Sequence, residues 1–166
     1  MTTTMRRSGQ RSQRWPDRRV DTDQVSRSLQ EVGLAIKRVQ VRHHRALDSQ
    51  LATLGISLVQ WDALRHLNTH PDASLHDLAQ LTFQSDQAFG TLAARMADRG
   101  FIERVPGPGR AIRHRITGKG YDLLEKGSHI VDNVFTVTLG TLTPRQLDTL
   151  GQLLEHILDT EPSAEK

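Results

Sequence analysis

The sequence predicts a mostly α-helical chain with one small β-hairpin, and three observations support this fold class. Apolar residues recur at spacings of three and four over most of the chain, and residue types that cap helices precede those segments. Between residues 101 and 117 the pattern changes to alternation, which is typical of strands. With 166 residues, of which 36% are hydrophobic, the chain can form one compact domain or two small lobes.

The composition excludes several classes of protein. The chain has no cysteine, so it can hold neither a disulfide nor a thiolate metal site. Its basic start, "MTTTMRRSGQRSQRW", lacks the apolar run of a signal peptide, and no segment approaches the roughly 20 apolar residues of a membrane span. We therefore expect a cytoplasmic protein that contacts no membrane and needs no cofactor.

Arginine is concentrated in two stretches, although the formal net charge is only +3. One stretch is residues 1–20, which have no apolar periodicity and are predicted to form a disordered basic arm. The other stretch is residues 104–115. Clustered arginine suits contacts to phosphate or guanine, so the charge pattern favours nucleic acid as a partner, while a merely solvated tail remains an alternative for the arm.

The first helix is predicted from Asp21 to Leu54, with Gly55 as its C-terminal cap. Its apolar positions at helical spacing are Val25, Leu29, Val32, Ile36 and Val39. The sequence "SLVQ" at residues 57–60 has the form of a capping box and predicts a second helix from Leu58 to about Thr69, which Pro71 stops.

Two shorter helices follow. The sequence "SLHD" at residues 74–77 opens a third helix that runs through Leu81, and Ser85 caps a fourth helix that Gly100 terminates. The third helix turns Leu75, Leu78 and Ala79 inward, and the apolar face of the fourth consists of Phe89, Leu92, Ala93 and Met96.

The alternating stretch predicts a hairpin with strands at residues 101–105 and 111–117, joined by the loop "PGPGR". One face of the second strand carries Ile112, His114 and Ile116, and the other carries Arg113 and Arg115. Thr117 then opens a fifth helix over residues 118–139, and "TPRQ" at residues 143–146 opens a sixth. The apolar stripe of the sixth helix is Leu147, Leu150, Leu153, Leu154, Ile157 and Leu158.

This order of elements is that of a winged helix-turn-helix, and the chain resembles the MarR family of bacterial transcriptional regulators. The resemblance is carried by "LAQL", by the spaced "L..RM.DRGFIER" from Leu92 to Arg104, and by "R..R.RIT..G" from Arg110 to Gly120. In outline it extends from about residue 25 to the end of the chain. It implies a helical dimerisation lobe, residues 21–56 and 118–166, and a winged helix-turn-helix DNA-binding domain, residues 57–117.

The resemblance also implies a function. We expect a homodimer that binds a palindromic operator in double-stranded DNA and represses transcription until a small-molecule ligand releases it. The long apolar stripes of the terminal helices support the dimer independently, because a lobe of this size cannot bury them alone. A nonspecific architectural DNA-binding protein is the alternative, since a basic arm and wing would serve it equally well.

The expected DNA contacts lie on the exposed side of the fourth helix and on the wing. Gln87 suits adenine edges, Thr91 can donate a hydrogen bond or contact a thymine methyl group, and Gly90 lets the helix approach DNA closely. Asp86 can accept a hydrogen bond from cytosine or can simply stabilise the first helical turn. The expected set is Ser85, Asp86, Gln87, Gly90, Thr91, Arg95, Arg110, Arg113 and Arg115.

The arginines of this set have different expected roles. Arg95 is assigned to a phosphate, and Arg110 at the tip of the wing is placed to enter a minor groove, while Arg113 or Arg115 meets phosphate. A merely solvated basic hairpin is the alternative for the wing. Two positions depart from the family pattern. Pro108 stands where an aspartate commonly steadies the wing arginine, and Phe83 stands in a turn that often has glycine.

The remaining chemistry-bearing residues have two interpretations each. Trp61 and Asp62 lie early on the second helix, where family members bind small aromatic acids, but Trp61 also suits a plain core position. His66 and His70 stand one turn apart, which can suit zinc, yet no cysteine or carboxylate pair accompanies them and no metal is expected. No arrangement typical of a catalytic site is found, so we do not expect an enzyme.

Overall fold

The computed structural model describes residues 27–107 and 112–160, and shows six helices and one antiparallel hairpin within them. The helices are α1 (Leu29–Leu51), α2 (Leu58–Thr69), α3 (Leu75–Leu81), α4 (Asp86–Asp98), α5 (Gly118–Leu139) and α6 (Pro144–Leu158), and the strands are β1 (Ile102–Pro106) and β2 (Ile112–Ile116). The predicted arm at residues 1–20, together with Val25, Pro108 and Arg110, lies outside the described residues.

The predicted start of the first helix at Asp21 is wrong. Residues 27 and 28 are not helical, and α1 begins at Leu29, because Ser28 adopts an extended conformation and forms a capping box with Glu31. The Ser28 Oγ accepts a hydrogen bond from the Glu31 amide, while the Glu31 carboxylate accepts one from the Ser28 amide. At the other end, a short 3₁₀ turn (Ala52–Leu54) leads into Gly55, whose left-handed φ of 72° confirms the predicted cap.

The next three helices begin where their caps predict. Ser57 and Ser74 each form a capping box with the residue three positions later, and Ser85 accepts a hydrogen bond from the Ala88 amide. Each serine satisfies an amide that the first turn of its helix leaves without an intrahelical partner. The cap at Ser85 fixes the start of α4, the helix that the sequence assigns to DNA recognition.

The first strand of the hairpin is shifted by one residue relative to the prediction, and the second strand ends one residue earlier than predicted. β1 begins at Ile102 because the preceding residue, Phe101, still belongs to the end of α4: its amide donates to the Met96 carbonyl. The Phe101 ring is buried in the core. β1 extends to Pro106, which the prediction placed in the loop and which pairs with Ile112. Thr117 does not belong to β2, since its hydroxyl caps α5 by accepting from the Gly120 amide.

One hydrophobic core unites five of the helices and the hairpin. It contains the C-terminal part of α1, the inner faces of α2, α3 and α4, and the middle of α5. The hairpin contributes the start of β1 and the end of β2, which lie next to each other. Its largest fully buried side chains are Phe89, Phe101, Leu51, Leu64, Leu78 and Met96. α6 contributes no buried residue to this core.

Two helical surfaces therefore leave their apolar side chains uncovered by the other described residues. On α1 these side chains are Leu29, Val32, Leu34, Ile36 and Val39, and on α6 they are Leu147, Leu153, Leu154, Ile157 and Leu158. We call the two sets together the terminal apolar surface. In the described ranges, no helix combines the length and the apolar character that crossing a membrane requires.

Candidate DNA-binding surface

Helix α4 presents one stripe of polar side chains to solvent. Its buried face, formed by Phe89, Ala93 and Met96, fixes the rotation of the helix against the core. Gln87, Thr91 and Arg95 lie at intervals of four residues on another face and are all exposed. The sequence prediction thus names three side chains that share one accessible face.

Local contacts modify two of the expected base readers on this helix. The Thr91 hydroxyl donates to the Gln87 carbonyl at 3.0 Å, so the methyl group of Thr91 is the part left for contact with a base. Gly90 is half-buried, and a Cβ at this position would meet the Leu75 Cδ1 at 3.9 Å. The open side of Gly90 therefore faces α3.

Asp86 is held by a histidine that the sequence analysis did not select. The His76 Nδ1 on α3 lies 3.0 Å from both carboxylate oxygens of Asp86, across the helix-turn-helix. The His76 Nε2 lies 3.1 Å from the Gln80 Nε2. In the sequence, His76 stands inside the motif "SLHD", which the capping box of Ser74 and Asp77 already explains, so no further role is evident there. In the structure its side chain is exposed.

The turn between α3 and α4 contains a residue in an unusual conformation. Phe83 has a φ of 54°, in the left-handed region, and its side chain is 96% exposed. The Gln84 amide donates to the Ala79 carbonyl at 2.8 Å and the Phe83 amide to the Gln80 carbonyl at 3.0 Å, which is the hydrogen-bond pattern of a Schellman motif. A residue with a Cβ in this conformation costs about 1–2 kcal/mol relative to the right-handed one.

The wing carries its arginines on the side opposite to a buried histidine. His114 and Ile116 face the core, whereas Arg115 is exposed and Arg113 is half-buried. Ile112, predicted to share the face of His114, is exposed because it lies beyond the core at the end of the strand. The cross-strand register places Glu103 opposite Arg115. The expected contacts of Arg110 lie outside the described residues.

Burial lowers the pKa of His114, and the charge of Arg104, its cross-strand neighbour, lowers this pKa further. In the described part of the chain, the His114 Nδ1 is buried without a hydrogen-bond partner. A neutral imidazole is therefore the form that this position favours.

The side chain of Trp61, on α2, lies in the core where α2 contacts α5. Its side chain is packed against Gly127, and its Nε1 donates to the Leu124 carbonyl at 3.4 Å. Asp62 accepts from Arg65, whose Nη2 lies 2.7 Å from one carboxylate oxygen. The contacts of Trp61 agree with its interpretation as a core residue, and its expected role beside a ligand remains a prediction.

His66 belongs to the same group of side chains. Its Nε2 lies 2.7 Å from the Arg65 Nη2, and its pKa is lowered first by burial and then by the charge of Arg65. The His66 and His70 rings are 6.1 Å apart, and among residues 27–107 and 112–160 no group of three metal-ligating side chains could hold an ion.

Residues 54–111 match the model of the MarR family. The HTH-type transcriptional repressor IacR of Pseudomonas putida is 24% identical to this chain over 130 residues, which cover 75% of this chain and 78% of the repressor. The HTH-type transcriptional repressor Rv2887 of Mycobacterium tuberculosis is 25% identical over 128 residues, which cover 76% of this chain and 92% of the repressor.

Solved structures of MarR proteins share the fold. A mutant MarR from E. coli complexed with operator DNA superposes with a TM-score of 0.70 at 22% identity, covering 80% of this chain and 99% of that one. Rv2887 in complex with p-aminosalicylic acid gives a TM-score of 0.64 at 25% identity, covering 76% and 97% of the two chains. The predicted resemblance and the predicted winged helix fold are both confirmed.

Proposed function

We propose that this chain, whose winged helix domain is of the MarR family, is a homodimeric transcriptional repressor released from a palindromic operator by a small-molecule ligand. The observation that carries the proposal is the exposed polar stripe of α4, formed by Gln87, Thr91 and Arg95 on the second helix of a helix-turn-helix. The N-terminal part of such a helix contacts base edges in the major groove. The fold itself is that of MarR-family transcriptional repressors.

Some side chains of α4 contact base edges, and others contact the DNA backbone. Gln87 in the first turn can form a bidentate pair with adenine, and Thr91 can place its methyl group against thymine. Arg95 is two turns further from the N-terminus and meets phosphate. Ser85 keeps the N-terminus fixed by its cap, and Asp86, held by His76, accepts from a cytosine amino group through its remaining lone pairs.

The wing adds basic side chains next to the recognition helix. Arg115 is exposed and Arg113 is half-buried, and both carry charge that phosphate attracts. Arg110 completes the proposed contacts by entering a minor groove, as expected from the sequence. Phosphate contacts of this kind fix the register of the protein on DNA and leave the choice of sequence to α4.

A second copy of the chain is the proposed partner of the terminal apolar surface. Among residues 27–107 and 112–160, neither the N-terminal part of α1 nor α6 finds enough apolar neighbours to bury this surface. Burying it between two copies removes apolar area from water, and a two-fold axis then places two copies of α4 one helical turn of DNA apart. A palindromic operator follows from this symmetry.

A small aromatic ligand is the proposed signal. One solved relative binds p-aminosalicylic acid, and another, an organohalide-sensing regulator, is described in a form bound to 2,4-dichlorophenol. In this chain the ligand would bind beside Trp61 and Asp62, at the junction between the helical lobe and the winged domain. A ligand there can change the spacing of the two recognition helices only if it binds one spacing more tightly than the other.

Selection of duplexes from a random DNA pool, followed by affinity measurements at one salt concentration, tests the proposal. We expect a palindromic consensus that the protein binds about 10³-fold more tightly than random DNA of the same length. A ratio near one would reject the sequence-specific repressor and favour the nonspecific architectural protein. Repeating the measurement with small aromatic acids tests release, which should appear as weaker binding to the selected duplex.

A further inference from the structure

Within the residues that the structure describes, the same helix-ending motif occurs three times, and only the copy in the helix-turn-helix lacks glycine. After α4, the Gly100 amide donates to the Ala97 carbonyl and the Phe101 amide to the Met96 carbonyl. The turn at Gly55 repeats this pattern, and both glycines have a φ near that of Phe83, at 72° for Gly55 and 71° for Gly100. Phe83 thus occupies a backbone position that this fold otherwise gives to glycine.

Packing among the described residues gives no reason for a phenyl ring at this position. Phe89 and Phe101 are each 1% exposed and form part of the core, whereas Phe83 is 96% exposed. A single exposed apolar side chain on a protein surface is ordinary. Here, however, the residue that carries the exposed ring also has a Cβ in the left-handed region, so one position combines an exposed apolar ring with an unfavourable backbone conformation.

The neighbouring side chains leave the ring free to make an outside contact. The Gln84 Nε2 donates to the Thr82 Oγ1 at 3.1 Å, and the Thr82 hydroxyl in turn donates to the Leu78 carbonyl. The two residues that flank Phe83 are therefore held to each other and to α3. The phenyl ring projects alone, two residues before Ser85, the cap of α4.

We propose that Phe83 is a specificity-determining residue that packs its ring against the C5-methyl group of a thymine in each half-site. The proposal rests on the proposed function, since it requires that the N-terminus of α4 enter the major groove. At that end of the helix, the base edges offer mostly hydrogen-bonding groups, and the thymine methyl group is the apolar one. An aromatic ring that makes no hydrogen bond can distinguish thymine from the other bases there.

Replacing thymine by uracil removes only the C5-methyl group, so this replacement tests the proposed contact directly. The DNA is the duplex that the wild-type protein selects from a random pool, with one thymine of one half-site replaced at a time. At one position we expect the replacement to weaken wild-type binding about 5- to 10-fold, at the lower end of a specific base contact. Phe83→Ala should weaken binding to the unmodified duplex and should be insensitive to uracil at that position.

Stability provides a second measurement that needs no DNA. Phe83→Gly should raise the melting temperature, because glycine adopts the left-handed conformation without penalty, and should weaken binding to the selected duplex as Phe83→Ala does. Gly100→Ala is the matched control at the same motif position, where an added Cβ would meet no atom within 4 Å. It should lower the melting temperature, since it introduces the strain that Phe83→Gly removes.

The outcomes separate this proposal from the proposed function. Recovery of a specific duplex that Phe83→Ala binds with full affinity would overturn the thymine contact and leave the repressor intact. Equal weakening on selected and random DNA, with no uracil effect, would assign the ring to the sugar backbone and also overturn the thymine contact. Recovery of no preferred duplex would reject the proposed function, and the thymine contact would fall with it.

Discussion

Gly127 of α5 lies directly against the indole ring of Trp61 on α2. A Cβ at Gly127 would overlap the Trp61 Cδ1 and would lie 3.0 Å from its Nε1 and 3.3 Å from the Leu51 Cδ2. The absent side chain lets α5 approach α2 closely enough for the indole to donate to the Leu124 carbonyl. This contact joins α2, in the predicted winged domain, to α5, in the predicted dimerisation lobe.

Gly127→Ala should destabilise the protein by about 1–3 kcal/mol, because the added methyl group forces α5 and the indole apart in a packed core. Thermal or denaturant unfolding measures the loss. Gly118→Ala on the same helix is the control, since a Cβ there would meet no atom within 4 Å. It should leave stability unchanged or raise it by about 0.5–1 kcal/mol. Equal behaviour of the two variants would contradict the close contact.

Leu154→Asp on α6 should shift the protein from dimer to monomer. Each dimer would then have two carboxylates in the terminal apolar surface and would lose about 1.5–3 kcal/mol of burial for each leucine removed. Light scattering coupled to size-exclusion chromatography at micromolar concentration gives the mass. Gln152→Asp, which lies outside the apolar stripe of the same helix, should remain dimeric. A wild-type protein that elutes as a folded monomer would refute the dimer itself.

Gln87→Ala and Arg95→Ala should weaken DNA binding in different ways. Gln87→Ala should lose about 1–3 kcal/mol on the selected duplex and little on random DNA, because it removes a base contact. Arg95→Ala should weaken both by a similar factor and reduce the slope of log affinity against log salt by about one. Titrations at several salt concentrations measure both effects. A sequence-dependent loss in Arg95→Ala would reassign that side chain to a base.

The buried histidines should make the protein less stable in mild acid. Because burial lowers the pKa of His114 and of His66, the unfolded chain binds more protons than the folded chain once the pH falls below the ordinary histidine pKa. This stabilisation is therefore complete above about pH 6.5 and is lost as the pH falls from there towards the lowered values.

His114→Phe should reduce this dependence, since it keeps a ring in the core and removes the titrating group. Denaturant unfolding at about pH 7.5 and about pH 5.5 measures the difference between the two proteins. The wild type should lose more stability between the two conditions than the variant does. An equal loss would show that other groups control the acid response.

Local signals in the sequence predicted most of the fold. The serines and threonine at positions 57, 74, 85 and 143 determine where α2, α3, α4 and α6 begin. Each side-chain oxygen accepts from the amide three residues later, and such a contact within one helical turn depends only on neighbouring residues. Ser28 and Glu31 carry the same kind of signal, but the apolar spacing continues N-terminal to them and predicts the wrong start of α1 at Asp21.

The candidate site was predicted in part. The period of α4 separates Gln87, Thr91 and Arg95 from the buried face, and this separation requires only the sequence. The pairing of His76 with Asp86 was not predictable in this way, since ten residues and a turn separate them. The depth of His114 likewise depends on how the hairpin lies on the helices.

The sequence by itself determined the order of the elements, the caps that start them and the apolar faces that they carry, because each depends on residues within a few positions of one another. Only the tertiary structure decided which of those faces find a partner inside the chain. It buries Trp61 against Gly127. Among residues 27–107 and 112–160 it leaves α6 uncovered, and it gives Phe83 a left-handed backbone with no neighbour for its ring. These properties arise from contacts between distant segments, where packing selects one arrangement among the several that local preferences allow.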